Sequence, residues 1–145
     1  MSESPRIATR ADEQDIAVIH RFLCDESTWA RGIPIDVVRR SIANSLNFGL
    51  FLAAGQVAYA RVVSDCATFA TLVDVFVLPA YRGRGYGALL MELVLSDARL
   101  QGLRRFLLAT STAHGLYAKY GFTAPAKPQA LMERLVPDVY RGVQP

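Results

Sequence analysis

"DVFVLPAYRGRGYGALLMELV", Asp74 to Val94, joins a β-branched apolar run to a long apolar stretch through three alternating glycines and two arginines. The run before Pro79 reads as a strand, and the stretch after Gly87 as a helix. The first amides of a helix find no partner inside it, and the local dipole favours an anion there. Gly83, Gly85 and Gly87 leave room for backbone to approach a bulky group at positive φ, and Arg82 and Arg84 add charged donors. This is a cradle for phosphate, most usefully a diphosphate. The plain alternative is a flexible turn whose arginines are solvated.

Two nucleotide loops can be tested against it. Gly83-Arg84-Gly85-Tyr86-Gly87-Ala88 satisfies the GxGxxG/A dinucleotide pattern formally. That pattern belongs directly after the first strand of a βαβ unit, with an acid about 20 residues on. Here Leu78 to Arg82 intervene, and the next strand ends "LLATST" without a carboxylate. A Walker loop fails because no GK[ST] follows.

Outward from the turn, the chain alternates strands and helices. "PRIATRA" predicts a short strand ending near Asp12, which can cap a helix carrying Ile16, Ile19, His20 and Leu23 on one face. Pro34 opens a second amphipathic helix through Ile35, Val38, Ile42 and Leu46. "FGLFLAA" and "VAYARVVSD" form a hairpin about Gly55-Gln56, and Thr68–Val77 adds an antiparallel strand. The helix after "RGRGYG" runs to about Arg99. "RRFLLAT" is then a strand, "AHGLYAKY" a short helix stopped by Gly121, and "ALMERLV" a late strand. The long connection through the third helix permits a parallel crossover, so a mixed sheet with helices on both faces follows.

The 145 residues fit one domain, 1–145, with 52% hydrophobic and 20% charged residues typical of a globular chain. The start, "MSESPRIATRADEQD", lacks the apolar core of a signal peptide, and no apolar run approaches the roughly 18 residues of a spanning helix. A cytoplasmic protein without membrane attachment is expected. Cys24 and Cys66 stand apart from any CxxC or His-rich neighbourhood, which predicts buried free thiols and no metal. The net charge is +3, carried almost entirely by scattered Arg rather than a basic block. That balance suits an anionic small ligand and disfavours nucleic acid.

"VFVLPAYRGRGYGALLM" resembles the acetyl-CoA pyrophosphate motif of the GNAT superfamily of N-acetyltransferases, [RQ]-x-x-G-x-[GA], with Arg82, Gly85 and Gly87 at its fixed positions. "AHGLYAKYGF", Ala113 to Phe122, resembles the second signature, LYxKxGF. The two stand in the superfamily's order and separation, and the specific match covers roughly Thr68 to Phe122. The resemblance implies an α/β (α+β) fold. Its mixed, mostly antiparallel sheet has six to seven strands and four helices on both faces, with the fourth and fifth strands splayed after a bulge in the fourth.

It further implies acetyl-CoA as co-substrate, with the diphosphate on Arg82, Gly83, Arg84, Gly85, Tyr86, Gly87 and Ala88. The pantetheine would lie in the splay beside Val75, Phe76 and Val77, an oxyanion donor would come from the amide of Phe76 or Val77, and Ser111 would be a further contact. Tyr117 matches the motif tyrosine that supplies a proton or hydrogen bond to the leaving thiolate; without the motif it would read as packing beside Leu116. Asp74 is a base for the amine, or a structural partner if strand alternation turns it away from the cleft. Some members place an acid near Thr71, where Thr cannot serve. His114 could relay a proton or simply open its helix, and His20 reads as packing at the core edge. Lys119 would approach the cofactor's 3′-phosphate or remain solvated. Many members carry Asn at Ser111 and a small residue at His114.

The acceptor side borders the loop after the first helix, which points to Trp29 and Arg31, with Trp29 as a pocket wall or a loop anchor. The acceptor is a small-molecule or peptide amine, and an exposed sheet edge invites a homodimer. Two other readings keep the cradle: a non-catalytic acyl-CoA sensor, and an enzyme acetylating aminoacyl-tRNA.

Overall fold

Apolar side chains alternate faces along "VAYARVV", so this stretch can bury both sides at once. In the computed structural model, which describes residues 3–141, it is the centre of the sheet. Strand β1 (Arg6–Ala8) pairs antiparallel with β2 (Leu46–Leu52), β2 with β3 (Gly55–Ser64), and β3 with β4 (Phe69–Val77). Strand β5 (Arg105–Leu108) closes the order β1-β2-β3-β4-β5 and runs parallel to β4. The parallel pair follows from the crossover between them, helix α3 (Tyr86–Ser96).

Each face carries its own core. Helix α3 buries Tyr86, Leu90, Met91 and Val94 against Phe48, Ala60, Val62 and Leu72, and α4 (His114–Ala118) adds Tyr117. The other face packs α1 (Ile16–Arg21) and α2 (Ile35–Ala43) onto Tyr59 and Phe76 through Ile19, Phe22, Val38 and Ile42. Asp15, rather than Asp12, caps α1 by accepting from the Val18 amide at 3.2 Å. A π-helical turn, Phe22–Glu26, extends α1 and closes with Ser27 N–H donating to Phe22 O at 2.9 Å.

Polar contacts inside the sheet are closed. Gln56 donates to Gln14 Oε1 at 2.9 Å and accepts from the Asp15 amide at 2.8 Å, tying α1 to the β2–β3 hairpin. Gly49 faces this pair, and a Cβ there would lie 2.3 Å from Gln14 Oε1, so β2 needs glycine at that point. Tyr59 donates to Asn47, whose amide donates to Ile42 O, anchoring the end of α2.

The mixed class and the helices on both faces agree with the sequence. The strand number does not: five strands form among the described residues, not six or seven. The 130–136 stretch, expected as the last strand, forms none: Ala130 ends a 3-10 turn, Pro128–Ala130, and 131–136 adopt no regular structure. Val136 is its single β-branched residue, and Ala, Leu, Met, Glu and Arg favour helix, so the stretch has little strand preference of its own. The chain is held on either side of it, by Phe122 packing on Phe106 and by Tyr140 against Gly32. Cys66 is exposed at the turn before β4 rather than buried, while Cys24 is half-buried.

Candidate active site

Strands β3 and β4 fall out of step at one place. Phe76 stands opposite Tyr59 and Val73 opposite Arg61, so Asp74 and Val75 together face Ala60. This is a β-bulge, and Asp74 takes it at φ 53°, a left-handed conformation that Asp tolerates better than bulkier residues. One extra residue inverts the alternation. Ala70 and Leu72 pack on the α3 face, and past the bulge Val75 and Val77 return to that face. Phe76 turns the other way and stacks on Phe22, centroids 4.1 Å apart. Unbroken alternation would set Asp74 beside Leu72; the bulge delivers it to the α1–α2 side.

There Asp74 meets two donors. Arg61 Nε donates to Oδ2 at 3.0 Å, and Trp29 Nε1 donates to Oδ1 at 2.8 Å. The Arg61 and Asp74 side chains are only 17% and 11% exposed, so each needs the other's charge. Arg61 Nη1 also donates to Ser45 Oγ at 3.0 Å. Trp29 is carried by a loop that Ser27 pins: its Oγ donates to Leu23 O at 2.6 Å and accepts from the Ala30 amide at 3.0 Å.

Beside the bulge the sheet opens. Strand β5 pairs with β4 only from Phe69–Arg105 to Leu72–Leu108, so the second half of β4 presents a free edge. A cleft of about 820 Å³ fills this gap, walled by Trp29, Arg61, Asp74, Val75, Ser111 and Tyr117. Tyr117 is buried, packs edge-on against Phe122 at 6.1 Å, and burial pushes its hydroxyl above the usual tyrosine value. Its hydroxyl makes no hydrogen bond among the described residues, which leaves it a free donor at the cleft. Thr110 Oγ1 accepts from the Ala113 amide at 3.0 Å and so fixes the turn into α4.

The glycine turn lies at the N-terminus of α3. Gly83 and Gly85 adopt φ of 78° and 87°, and Gly85 is the residue before the helix. Space beyond Gly83, Gly85 and Gly87 is open, since a Cβ at any of them would meet nothing within 4 Å. Leu89 donates to Gly85 O at 3.0 Å as the helix's first bond, leaving the amides of Tyr86, Gly87 and Ala88 outside the helical ladder. Arg82 is braced by its Nε donating to Val77 O at 3.0 Å, and the Arg84 guanidinium lies over the Tyr81 ring at 5.3 Å. These donors and this open backbone fit a diphosphate. The Tyr86 and Phe76 side chains are buried in the two cores, so only their backbone can face a ligand.

Other positions singled out in the sequence lie elsewhere. Arg31 is exposed, reaches Asp25 O at 3.4 Å and does not line the cleft. His114 lines an adjoining groove along β5 that shares Tyr117 with the cleft, Lys119 caps α4 at the surface, and His20 bonds Ile33 O at 3.0 Å. Arg61 was missed. Its signal was a lone cation inside the apolar run "AYARVV", where a buried charge demands a partner. Burial raises the Cys24 thiol above its usual range, helped by the Asp25 carboxylate. Among the described residues no group of three or more His, Cys, Asp or Glu could hold a metal ion, and no helix is long and apolar enough to cross a membrane.

Comparison with known proteins bears on this geometry. Residues 47–124 match the model of the acetyltransferase (GNAT) domain. A GNAT-family protein from Xanthomonas campestris pv. campestris is 55% identical, with a TM-score of 0.94 over 97% of this chain and 99% of its own. An acetyltransferase-family protein of Gibberella zeae is 30% identical over 112 residues, 63% of this chain and 62% of its own length. An N-acetyltransferase-family protein of Gracilaria tenuistipitata var. liui is also 30% identical, over 69% of this chain and 58% of its own. The chain thus spans about three fifths of the curated relatives it matches. Glucosamine-6-phosphate N-acetyltransferase from Arabidopsis thaliana shares the fold at 14% identity, with a TM-score of 0.64 over 92% of this chain and 99% of its own.

Proposed function

Because this chain belongs to the GNAT acetyltransferase family, a family of acyl-transferring enzymes, we propose that it moves an acetyl group from acetyl-CoA to a primary amine by direct attack on the thioester. The observation that carries the reading is the opening of β4 from β5 beyond Leu72 and Leu108, with Asp74 and Tyr117 on its walls. The turn from Arg82 to Ala88 would take the diphosphate through the free amides of α3 and its two arginines. The pantetheine would run along the open edge of Val75, Phe76 and Val77.

The chemistry needs placement and two proton transfers. The amine nitrogen attacks the acetyl carbonyl carbon, and the carbonyl oxygen gathers charge against the amide of Phe76 or Val77. The nitrogen's proton passes to Asp74 Oδ1, on the oxygen that Trp29 now occupies, while Arg61 keeps Oδ2. As the C–S bond breaks, the Tyr117 hydroxyl gives its proton to the thiolate and regains one from solvent, to which Asp74 releases the proton it took. The products are the amide and free coenzyme A. Trp29 at the mouth would border the acceptor, a small-molecule or peptide amine.

A panel of amines and short peptides with acetyl-CoA, scored by release of free thiol, tests this reading. Turnover on at least one amine, lost in Tyr117→Phe, is expected. Tight acetyl-CoA binding with turnover on no compound would favour the sensor instead.

A further inference from the structure

The charge balance of the cleft limits what its acceptor side can take. Ala70 and Leu72 pack on the α3 face, so alternation turns Thr71 and Val73 to the α1–α2 side, where the bulge also puts Asp74. Thr28 and Trp29 wall the same cleft. Arg61 and Asp74 are the only charged side chains lining it among the described residues, and they neutralise each other at 3.0 Å. Arg61 Nε and Nη1 are already committed, to Asp74 Oδ2 and Ser45 Oγ. Arg31, the cation of the Trp29 loop, reaches Asp25 O instead. What remains is neutral: the Trp29 indole, Val73, and the Thr28 and Thr71 hydroxyls, which make no hydrogen bond among the described residues.

We infer that the acceptor is a primary amine with no acid group beside its nitrogen: an alkylamine, an amino alcohol or the amine of a peptide, and not a free α-amino acid. The inference rests on the acetyl-transfer reading of this cleft. The carboxylate of an α-amino acid sits one carbon from its nitrogen. Seating that nitrogen on Asp74 Oδ1 would bring two carboxylates against one guanidinium, inside walls that keep out screening water. An amide or a hydroxyl at the same place carries no such cost, and the free Thr28 and Thr71 hydroxyls can bond to either. Arg61 therefore does two things at once. It holds Asp74, and by being committed there it leaves no free cation for an acid on the acceptor.

Trp29 is the chain's single tryptophan, so its fluorescence reports on this site alone. The full chain with coenzyme A is titrated with phenylalanine, phenylalaninamide and phenethylamine, then with leucine, leucinamide and isopentylamine, at equal concentrations of neutral amine. Each amide has nearly the bulk of its acid without the charge. Amide and simple amine should bind at least about tenfold more tightly than the acid, with the same order in thiol release from acetyl-CoA. In Asp74→Asn the guanidinium loses its counter-charge, and the acid should gain on its amide. An acid that binds as well as its amide would overturn the inference, making bulk the cause of any preference for the simple amine. Unchanged discrimination in folded Asp74→Asn would overturn it too, as would no response of Trp29 to either series. The expected binding order without thiol release would sink acetyl transfer and leave the charge preference standing. Thiol release that favours the acids would do the reverse.

Discussion

Arg61 and Asp74 meet at 3.0 Å across β3 and β4, and they meet only because the bulge at Asp74 reverses the pleat of β4. The pair joins the sheet to the mouth of the cleft, since Trp29 takes the other carboxylate oxygen. Fold and proposed chemistry therefore share one carboxylate.

Removing one member of this pair should cost more than removing both. Arg61→Met leaves Asp74 charged and enclosed, a loss of about 3 kcal/mol. Arg61→Met with Asp74→Asn should recover part of that stability in urea melts, because no charge remains stranded. Activity should stay lost in the double variant.

Tyr117→Phe separates chemistry from folding. Its hydroxyl makes no hydrogen bond among the described residues, so thermal stability should barely move. Turnover should fall by roughly a hundredfold if it protonates the thiolate. Burial raises its pKa, so the folded state holds the proton more tightly than the unfolded chain. Its contribution to stability is then complete below about pH 10 and is lost as pH rises through the folded value. Ultraviolet titration of the phenols, wild type against Tyr117→Phe, checks the direction.

The acid limb of stability should depend on Asp65. Its carboxylate accepts from the amides of Ala67, Thr68 and Phe69 and from the Thr68 hydroxyl, which closes the turn into β4. Those bonds, Thr68's foremost, hold its pKa far below the usual carboxylate value. The depressed value means stability present above about pH 4 and lost as pH falls through the folded value. Asp65→Ala should lower the melting temperature at neutral pH and flatten its decline in acid.

Trp29→Phe keeps an aromatic wall and removes the donor to Asp74. The KM for the amine should change while that for acetyl-CoA does not, as steady-state kinetics with each substrate varied will show. A change confined to acetyl-CoA would remove Trp29 from the acceptor side.

Much of this was legible in the sequence. The Gly83–Gly87 turn, the helix after it and the short helix of Tyr117 are local features, written in glycine spacing and helical periodicity. The bulge was not. Strand β4 is apolar on both faces, so "FATLVDVFV" carries no alternation from which a one-residue slip could be read. The contacts of Asp74 span 13 and 45 residues, beyond any local pattern. Arg31 looked equivalent to Trp29 because both belong to one loop, and only the Ser27 anchor decides which of them faces the cleft.

Calorimetric titration with acetyl-CoA tests the central claim most directly, namely that the turn before α3 grips the diphosphate. Gly85→Glu requires a side chain at positive φ, a strain of about 1–2 kcal/mol, and puts negative charge into open space where the fold is otherwise unaffected. Wild-type protein should bind with measurable heat, and Arg82→Glu combined with Gly85→Glu should weaken binding by at least about a hundredfold. Absence of heat with the wild type, or undiminished affinity in the folded double variant, would contradict the account.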